Sequence, residues 1–431
     1  MEEWSDDEIH QNLEDLQDFE FLNSVHRLRI DKWEHSRLNW DDHVRQLVHE
    51  DSFENEYGMP LSCYNGLVHI LRPKLQKKDY NCRGELITTE HVVANGLRIL
   101  GGGRPKDQRH IVGMSRDASY KSFCSFLDAV NSAPELDIKM PSTPDEWDEI
   151  YQEYRSKSTH EIMAGCVGCL DGFFQRTIKP TKSEVANVIS YYSGHYESYG
   201  INCQACVRAN LQFMYFGVVS PGSTNDNISF PLAPGLKEIF DSLPPGLFGL
   251  ADAAYTLSEK LLIPFVGTDR CDPSQDAFNY YLSQLRIRVE MAFGRLVNKF
   301  RILSGKVGGS MDRVSAILMA CARLHNFIIK WKGQDAIAAE YASVDDEMEA
   351  LHITPNSDAP LGMSYLPVIP DEEFEAFPGI SRTREAIVEH IREHDIRRPL
   401  HNIVRQRREQ LELVVVSPNG SEIDREFISP V

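Results

Sequence analysis

No stretch of this 431-residue chain approaches the roughly 18 consecutive apolar residues that a membrane helix requires, so no membrane partner is expected. The opening residues MEEWSDDEIH are acidic and lack the apolar core of a secretory signal, and the chain is expected to stay inside the cell. No internal repeat is evident. Basic charge is in short supply: 45 Lys and Arg face 64 Asp and Glu, a formal net charge of -19. That balance argues against a polyanionic partner only until it is divided along the chain. Residues 1–58 hold 5 basic and 17 acidic side chains, and residues 334–431 hold 9 and 20. Residues 59–160 hold 14 and 13, and residues 161–333 hold 17 and 14. The acidity belongs to the ends and the middle is slightly basic. Local patches, not net charge, decide whether phosphate can dock.

Nine cysteines include two C-x-x-C pairs, Cys166/Cys169 and Cys203/Cys206, which on paper could organise zinc. Both pairs fall in strand-like runs, where positions three apart point to opposite faces, and the separation between the pairs is longer than in usual zinc modules. Buried, reduced core cysteines are the preferred reading. A hydrophobic content of 42% and an aromatic content of 10% are ordinary for a globular protein, and the length allows two compact domains with tails.

Residues 1–35 read as an acidic, disordered leader, with a short helix over 14–25 as the one candidate element. From 40 to 75 apolar positions return at helical spacing until Pro73, which is expected to end the pattern. Residues 88–131 then read as helix, glycine break, short helix after Arg104, turn at 113–115 and a helix capped by Ser115. That is a helix-turn-helix-like order, with Arg116, Ser119 and Lys121 on the candidate recognition helix. Residues 59–131 carry 11 basic and 6 acidic side chains, which suits phosphate contact, although a plain helical packing unit has the same pattern. Strands are predicted over 201–207, 212–219 and 247–252, with a loop holding Tyr191, Tyr192 and His195 before them. A helix over 311–331 closes the region. Beyond Gly333 an acidic, largely disordered tail is expected, with a charged helix over 382–410. The basic pairs and runs at 397–398 and 405–408 could direct nuclear import, or simply face solvent.

Chemistry concentrates in the stretch 249–303. It begins with a short apolar run that reaches Asp252 and closes on a helix whose Leu285, Val289, Ala292, Phe293, Leu296 and Phe300 form one apolar stripe. Glu290 flanks the stripe, one turn from Arg286, with Arg288, Arg295, Lys299 and Arg301 on the same helix or just beyond it. A solvated amphipathic helix would look the same. Upstream, however, the hydrophobic run CVGCLDGFFQRTI is interrupted by Asp171, and PGSTND places Asp226 in a turn. An acid inside a buried strand is costly unless it is paired or bound to a cation.

The segments LDGFFQRTI, GINCQACVRANLQFMYFGVVSPGSTND, ADAAYTLSEKLLIPF and FNYYLSQLRIRVEMAFGRLVNKFRIL resemble, in order, the blocks of the DDE superfamily endonucleases of PIF/Harbinger-type transposons, over about residues 87–331. The resemblance implies an α/β architecture: an RNase H-like nuclease core at 161–333, with a mixed sheet flanked by helices. An all-α region at 36–160, with its helix-turn-helix-like module, precedes the core, and acidic disordered ends lie outside it. It implies a catalytic triad of Asp171, Asp252 and Glu290 holding two Mg2+ or Mn2+ ions for in-line attack on a phosphodiester. Asp226 matches a further family aspartate, and either a metal contact or turn closure would explain it. DNA contacts are expected from Arg116, Lys121, Arg286, Arg295, Lys299 and Arg301. The implied partners are transposon ends and target DNA, a Myb-like accessory protein and further copies of the chain, in the nucleus. Three departures from the family pattern, Asn225 for histidine, Ala251 for glycine and Val297 for lysine, leave all four acids in place. The rival expectation is a host-recruited DNA-binding protein that keeps the fold without the chemistry.

Overall fold

A computed structural model describes residues 37–76, 86–266, 272–333 and 381–399 of the chain. The N-terminal part is helical: α1 (Trp40–His49), α2 (Phe53–Tyr57), α3 (Leu61–Leu75), α4 (Thr89–Leu100), α5 (Gln108–Ile111), α6 (Arg116–Ser132) and α7 (Pro144–Arg155). Local chemistry sets several of the boundaries. Thr88 and His91 cap α4 reciprocally, the Ser115 hydroxyl accepts the Ala118 N–H at the start of α6, and Thr143 and Glu146 form a capping box on α7. Pro73 does not end its helix as predicted: α3 runs on to Leu75, whose buried side chain continues the stripe of Leu67 and Leu71. The lost N–H costs one bond in the last turn, which the packing of that stripe offsets.

Six strands follow, forming one mixed sheet: β1 (Cys166–Arg176), β2 (Tyr192–Ser193), β3 (Ser198–Val207), β4 (Phe213–Pro221), β5 (Phe248–Leu250) and β6 (Leu261–Leu262). β3 pairs antiparallel with β1 and β4, whereas β5 pairs parallel with both β1 and β6. Short helices α8 (Asp226–Leu232) and α9 (Leu236–Asp241) lie between β4 and β5. The long α10 (Pro273–Lys299) and α11 (Met311–Lys332) complete the layer, and α12 (Arg382–Glu393) packs on α10. The predicted helix over 382–410 therefore ends at 393, where His394 and Asp395 turn the chain, and residues 400–410 lie outside the described residues. The expectations for 1–35 and for most of the acidic tail also lie outside them.

The period of two along β1 decides what each face touches. On one face the Cys169 thiol donates to the Leu285 carbonyl at 3.3 Å, and Phe173 meets Phe293 with ring centroids 5.1 Å apart. That face is covered by α10, whose whole predicted stripe from Leu285 to Phe300 is buried. On the other face Gly168 lies against Phe240 of α9, and Gly172 lies against Asp226 of α8. The same parity separates the cysteines. Cys203, partnered with Phe173, shares the α10 face, and Cys206, partnered with Leu170, lies on the other. Burial pushes the Cys203 thiol well up and the Cys206 thiol well up, which suits core packing.

The helical part is not a separate body beside the sheet. Asn131 of α6 donates to the Ala316 carbonyl of α11 at 2.9 Å, Arg313 sits over the Tyr120 ring, and the Trp331 indole donates to Ser62. α6 is thereby wedged between α4 and α11. Ser119, a candidate base reader, is fully buried there and donates to Asn95 at 2.6 Å, while the Asn95 amide donates to the Ser119 carbonyl at 2.8 Å. An alternating apolar and small-residue helix gives no hint from sequence of which face a third helix will cover. Lys121 is exposed and Arg116 is half-buried.

Candidate active site

Register brings the first two acids together. Cys169 of β1 stands opposite Leu250 of the parallel strand β5. Asp171 and Asp252 each lie two residues beyond this paired level, which brings the two acids to the same end of the β1–β5 pair. The predicted strand over 247–252 is shorter than expected, at Phe248–Leu250, and Asp252 begins the turn after it, accepting the Ala254 N–H at 2.9 Å. Asp171 lies within β1 and accepts the Gly172 N–H at 2.9 Å.

From above, α10 supplies a cation and a third acid. Arg286 bridges the two elements: Nη1 is 3.4 Å from Asp171 Oδ2 and Nη2 is 2.5 Å from Glu290 Oε1. Arg286 and Glu290 are one turn apart, so both reach the sheet from the same helix flank. Asp171 is largely buried and Glu290 is half exposed, with side-chain exposures of 19% and 50%. Burial pushes the Asp171 carboxyl up to about 7. The charges of Asp252 and Asp226 push the same way, while Arg286 and the Gly172 N–H oppose them. Asp252 is also raised, again by burial first and then by Asp226 and Glu290. The site is rich in negative charge relative to its one bridging guanidinium.

Asp226 approaches on the opposite face of β1. A Cβ built on Gly172 would sit 2.1 Å from Asp226 Oδ1, so only glycine admits this carboxylate. Its Oδ1 accepts the Gln204 amide at 2.9 Å and the Asn202 amide at 3.0 Å, both from β3. The Tyr255 hydroxyl donates to Gln204 Oε1 at 2.7 Å and extends the network to the turn after Asp252. Turn closure is thus not what this side chain does; its bonds go to the sheet. Asn202, Gln204 and Tyr255 were not singled out from the sequence. The available signal was two amide side chains two residues apart in an otherwise apolar strand, which must find buried partners.

The other candidate cations lie elsewhere. The stem of Lys299 covers Gly58 after α2, and Arg301 stands against Gly102 after α4. Lys299 is thirteen residues beyond Arg286 on one helix, about 20 Å along its axis. Arg295 and Lys299 act on His325, whose burial first of all pushes its ring down to about 4. Arg288 is buried and cannot join a ring around Glu290. Arg116 and Lys121, on α6, belong to the helical layer. Among the described residues, no three His, Cys, Asp or Glu side chains are drawn together as a closed ligand set.

Residues 170–326 match the family model described as DDE superfamily endonuclease. The match begins one residue before Asp171, ends at Asn326 and contains Asp226, Asp252 and Glu290. A mixed sheet flanked by helices suits a nuclease domain of that superfamily. No match was found among curated proteins or among solved structures.

Proposed function

We propose that this chain is a divalent-metal-dependent DNA endonuclease of the DDE type, transposase-like, with an RNase H-like core and the PIF/Harbinger pattern of blocks. The observation that carries the reading is the placement of Asp171 and Asp252 at the same end of the β1–β5 pair, beneath the helix turn that carries Arg286 and Glu290. The donor chemistry fits the implied cation. All the candidate ligands are carboxylate oxygens, which suit Mg2+ or Mn2+ better than zinc. Asp171, pushed up to about 7 by burial first and by the charges of Asp252 and Asp226 after it, marks a place where positive charge is lacking.

In this reading Asp171 within β1 and Asp252 just past β5 would hold the cation, and Glu290, now paired with Arg286, would join them. Asp226, fixed by Asn202 and Gln204, adds negative potential from beneath and completes the set. When bound, the divalent cations activate the attacking oxygen and stabilise the leaving one. Arg286, released from Glu290, is placed to donate a charge-assisted hydrogen bond to a non-bridging phosphate oxygen. No covalent bond between chain and DNA is needed. The helix-turn-helix-like reading of α4 to α6 relies on Lys121 and Arg116 for phosphate contact. The Myb-like accessory protein, the homo-oligomer and the nuclear site of action rest on the sequence blocks alone.

The test is a nicking assay on supercoiled DNA with Mg2+, Mn2+ or chelator. Nicking by the wild type with either ion, lost with chelator and in Asp171→Ala, is the expected result. Metal-independent nicking, or equal nicking by Asp171→Ala, would overturn it. No nicking by the wild type under any condition would favour the non-catalytic DNA-binding alternative.

A further inference from the structure

Along the face of β1 that meets Asp226, the next outward residue is Phe174, two positions on and about 7 Å from Gly172. Its ring is stacked under Tyr196, with centroids 4.2 Å apart and planes inclined by 11°. The backbone around it has been stripped to seat the pair. A Cβ on Gly200 would lie 2.3 Å from Phe174 Cζ, and one on Gly222 would lie 2.6 Å from Phe174 Cε2. The Phe213–Phe216 contact in the core is edge-on and enclosed. Tyr196, by contrast, is 46% exposed. Phe174 follows Gly172 on the face where Gly172 abuts Asp226, so the stack sits beside that acid.

We infer that the Phe174–Tyr196 stack is a ledge for one unpaired nucleobase of the DNA, next to the phosphate bound at the acid site. A flat π-face supported from below is the surface on which an unpaired base stacks. The ring's area is that of one base rather than of a protein segment. The inference rests on the nuclease reading and adds a substrate feature to it: the strand is frayed, not fully paired, beside the reacting phosphate.

The experiment uses the full chain with Ca2+ or chelator, so that no cleavage enters the readout. One duplex carries a two-nucleotide unpaired end containing 2-aminopurine, and a second has the same sequence fully paired. Binding is followed by anisotropy and the state of the base by 2-aminopurine fluorescence. The wild type is expected to prefer the frayed duplex by about tenfold, and to quench the free base as it stacks. Tyr196→Ala should lose both effects, while Tyr196→Phe, which keeps the ring, should retain them. Equal affinity of the wild type for both duplexes, a preference unchanged in Tyr196→Ala, or its loss in Tyr196→Phe would overturn the ledge. Binding to neither duplex would overturn the nuclease reading together with it. Because Tyr196 is half exposed, an unchanged melting temperature for Tyr196→Ala separates a lost ledge from a lost fold.

Discussion

At the scale of single residues, Asp171 is held in the wrong state for stability. Its carboxyl titrates at about 7 in the folded chain, against 3.8 when unfolded. Between those values the folded state binds more protons, so stability contributed at this position falls as pH rises from about 4 to about 7. Asp171→Asn should therefore raise the melting temperature at pH 8 by a few degrees while abolishing nicking, and thermal melts from pH 5 to 8 would show it. An unchanged or lower melting temperature at pH 8 would mean that Arg286 fully compensates the charge. His325 works in the opposite direction. With its folded value near 4 and its ordinary value 6.5, its contribution is present above pH 6.5 and is lost as pH falls toward 4. A second prediction concerns Glu290. Calorimetric titration should show weaker Mn2+ binding by Glu290→Gln than by the wild type, and equal binding would remove Glu290 from the site. Gly172→Ala offers a third: its methyl would displace Asp226, so cleavage should fall at least tenfold with little loss of secondary structure by circular dichroism.

At the scale of elements, two helices are fixed by side chains that read as unremarkable polar residues in sequence. The Asn326 amide on α11 accepts the Phe213 N–H at 2.8 Å and donates to the Phe213 carbonyl at 2.7 Å, clamping the helix to the start of β4. His325 beside it bonds the Leu211 carbonyl at 2.9 Å. His325 and Asn326 are thus an anchor between helix and sheet. Asn326→Ala should cost about 1–3 kcal/mol, because it leaves backbone polar groups of β4 without partners. Denaturant unfolding would measure this, and a loss below about 0.5 kcal/mol would indicate that water replaces the amide. The other helix, α12, begins on a carboxylate from a distant turn. Glu259 accepts the Arg382 N–H at 2.8 Å and the Thr383 N–H at 3.2 Å, and Arg384 lies 3.9 Å from the Phe265 ring centre. Helical periodicity revealed α12, but its docking on α10 depends on Glu259 and Phe265, more than a hundred residues earlier, which no local pattern connects to it.

At the scale of the whole molecule, the charge division and the packing make separable claims about the C-terminal segment. Residues 334–380 hold 11 acidic and no basic side chains. A chain ending at 333 loses that repulsion, and its non-specific DNA affinity should rise at low salt. The same truncation removes α12, with its buried Ile387, Val388 and Ile391, so the shortened chain should also melt lower. Deleting 334–431 and, separately, replacing only the acids of 334–380 by their amides distinguishes the two effects. The amide variant should gain affinity without losing stability. A truncated chain as stable as the full one would show that α12 contributes nothing to the core. By the same reasoning a fragment of 87–331 is not self-contained, since it would uncover the faces that α3 and α12 cover.

Much of the fold was readable because it is written in local periodicity. The 3.6-residue stripe of α10, the cap at Ser115, and the alternation that separates Cys203 from Cys206 each follow from neighbours within a few residues. The acids themselves stood out because an aspartate in an apolar strand needs a reason. What local pattern could not supply was anything fixed by pairing across distance. The parallel register of β1 and β5 set Asp171 beside Asp252, the empty side of Gly172 admitted Asp226, and α6 packed on α4, burying Ser119 against Asn95. Each of these turns on two segments far apart in the chain meeting at one level. Only the closed tertiary structure selects that register, because only there must every buried polar group find its partner at once.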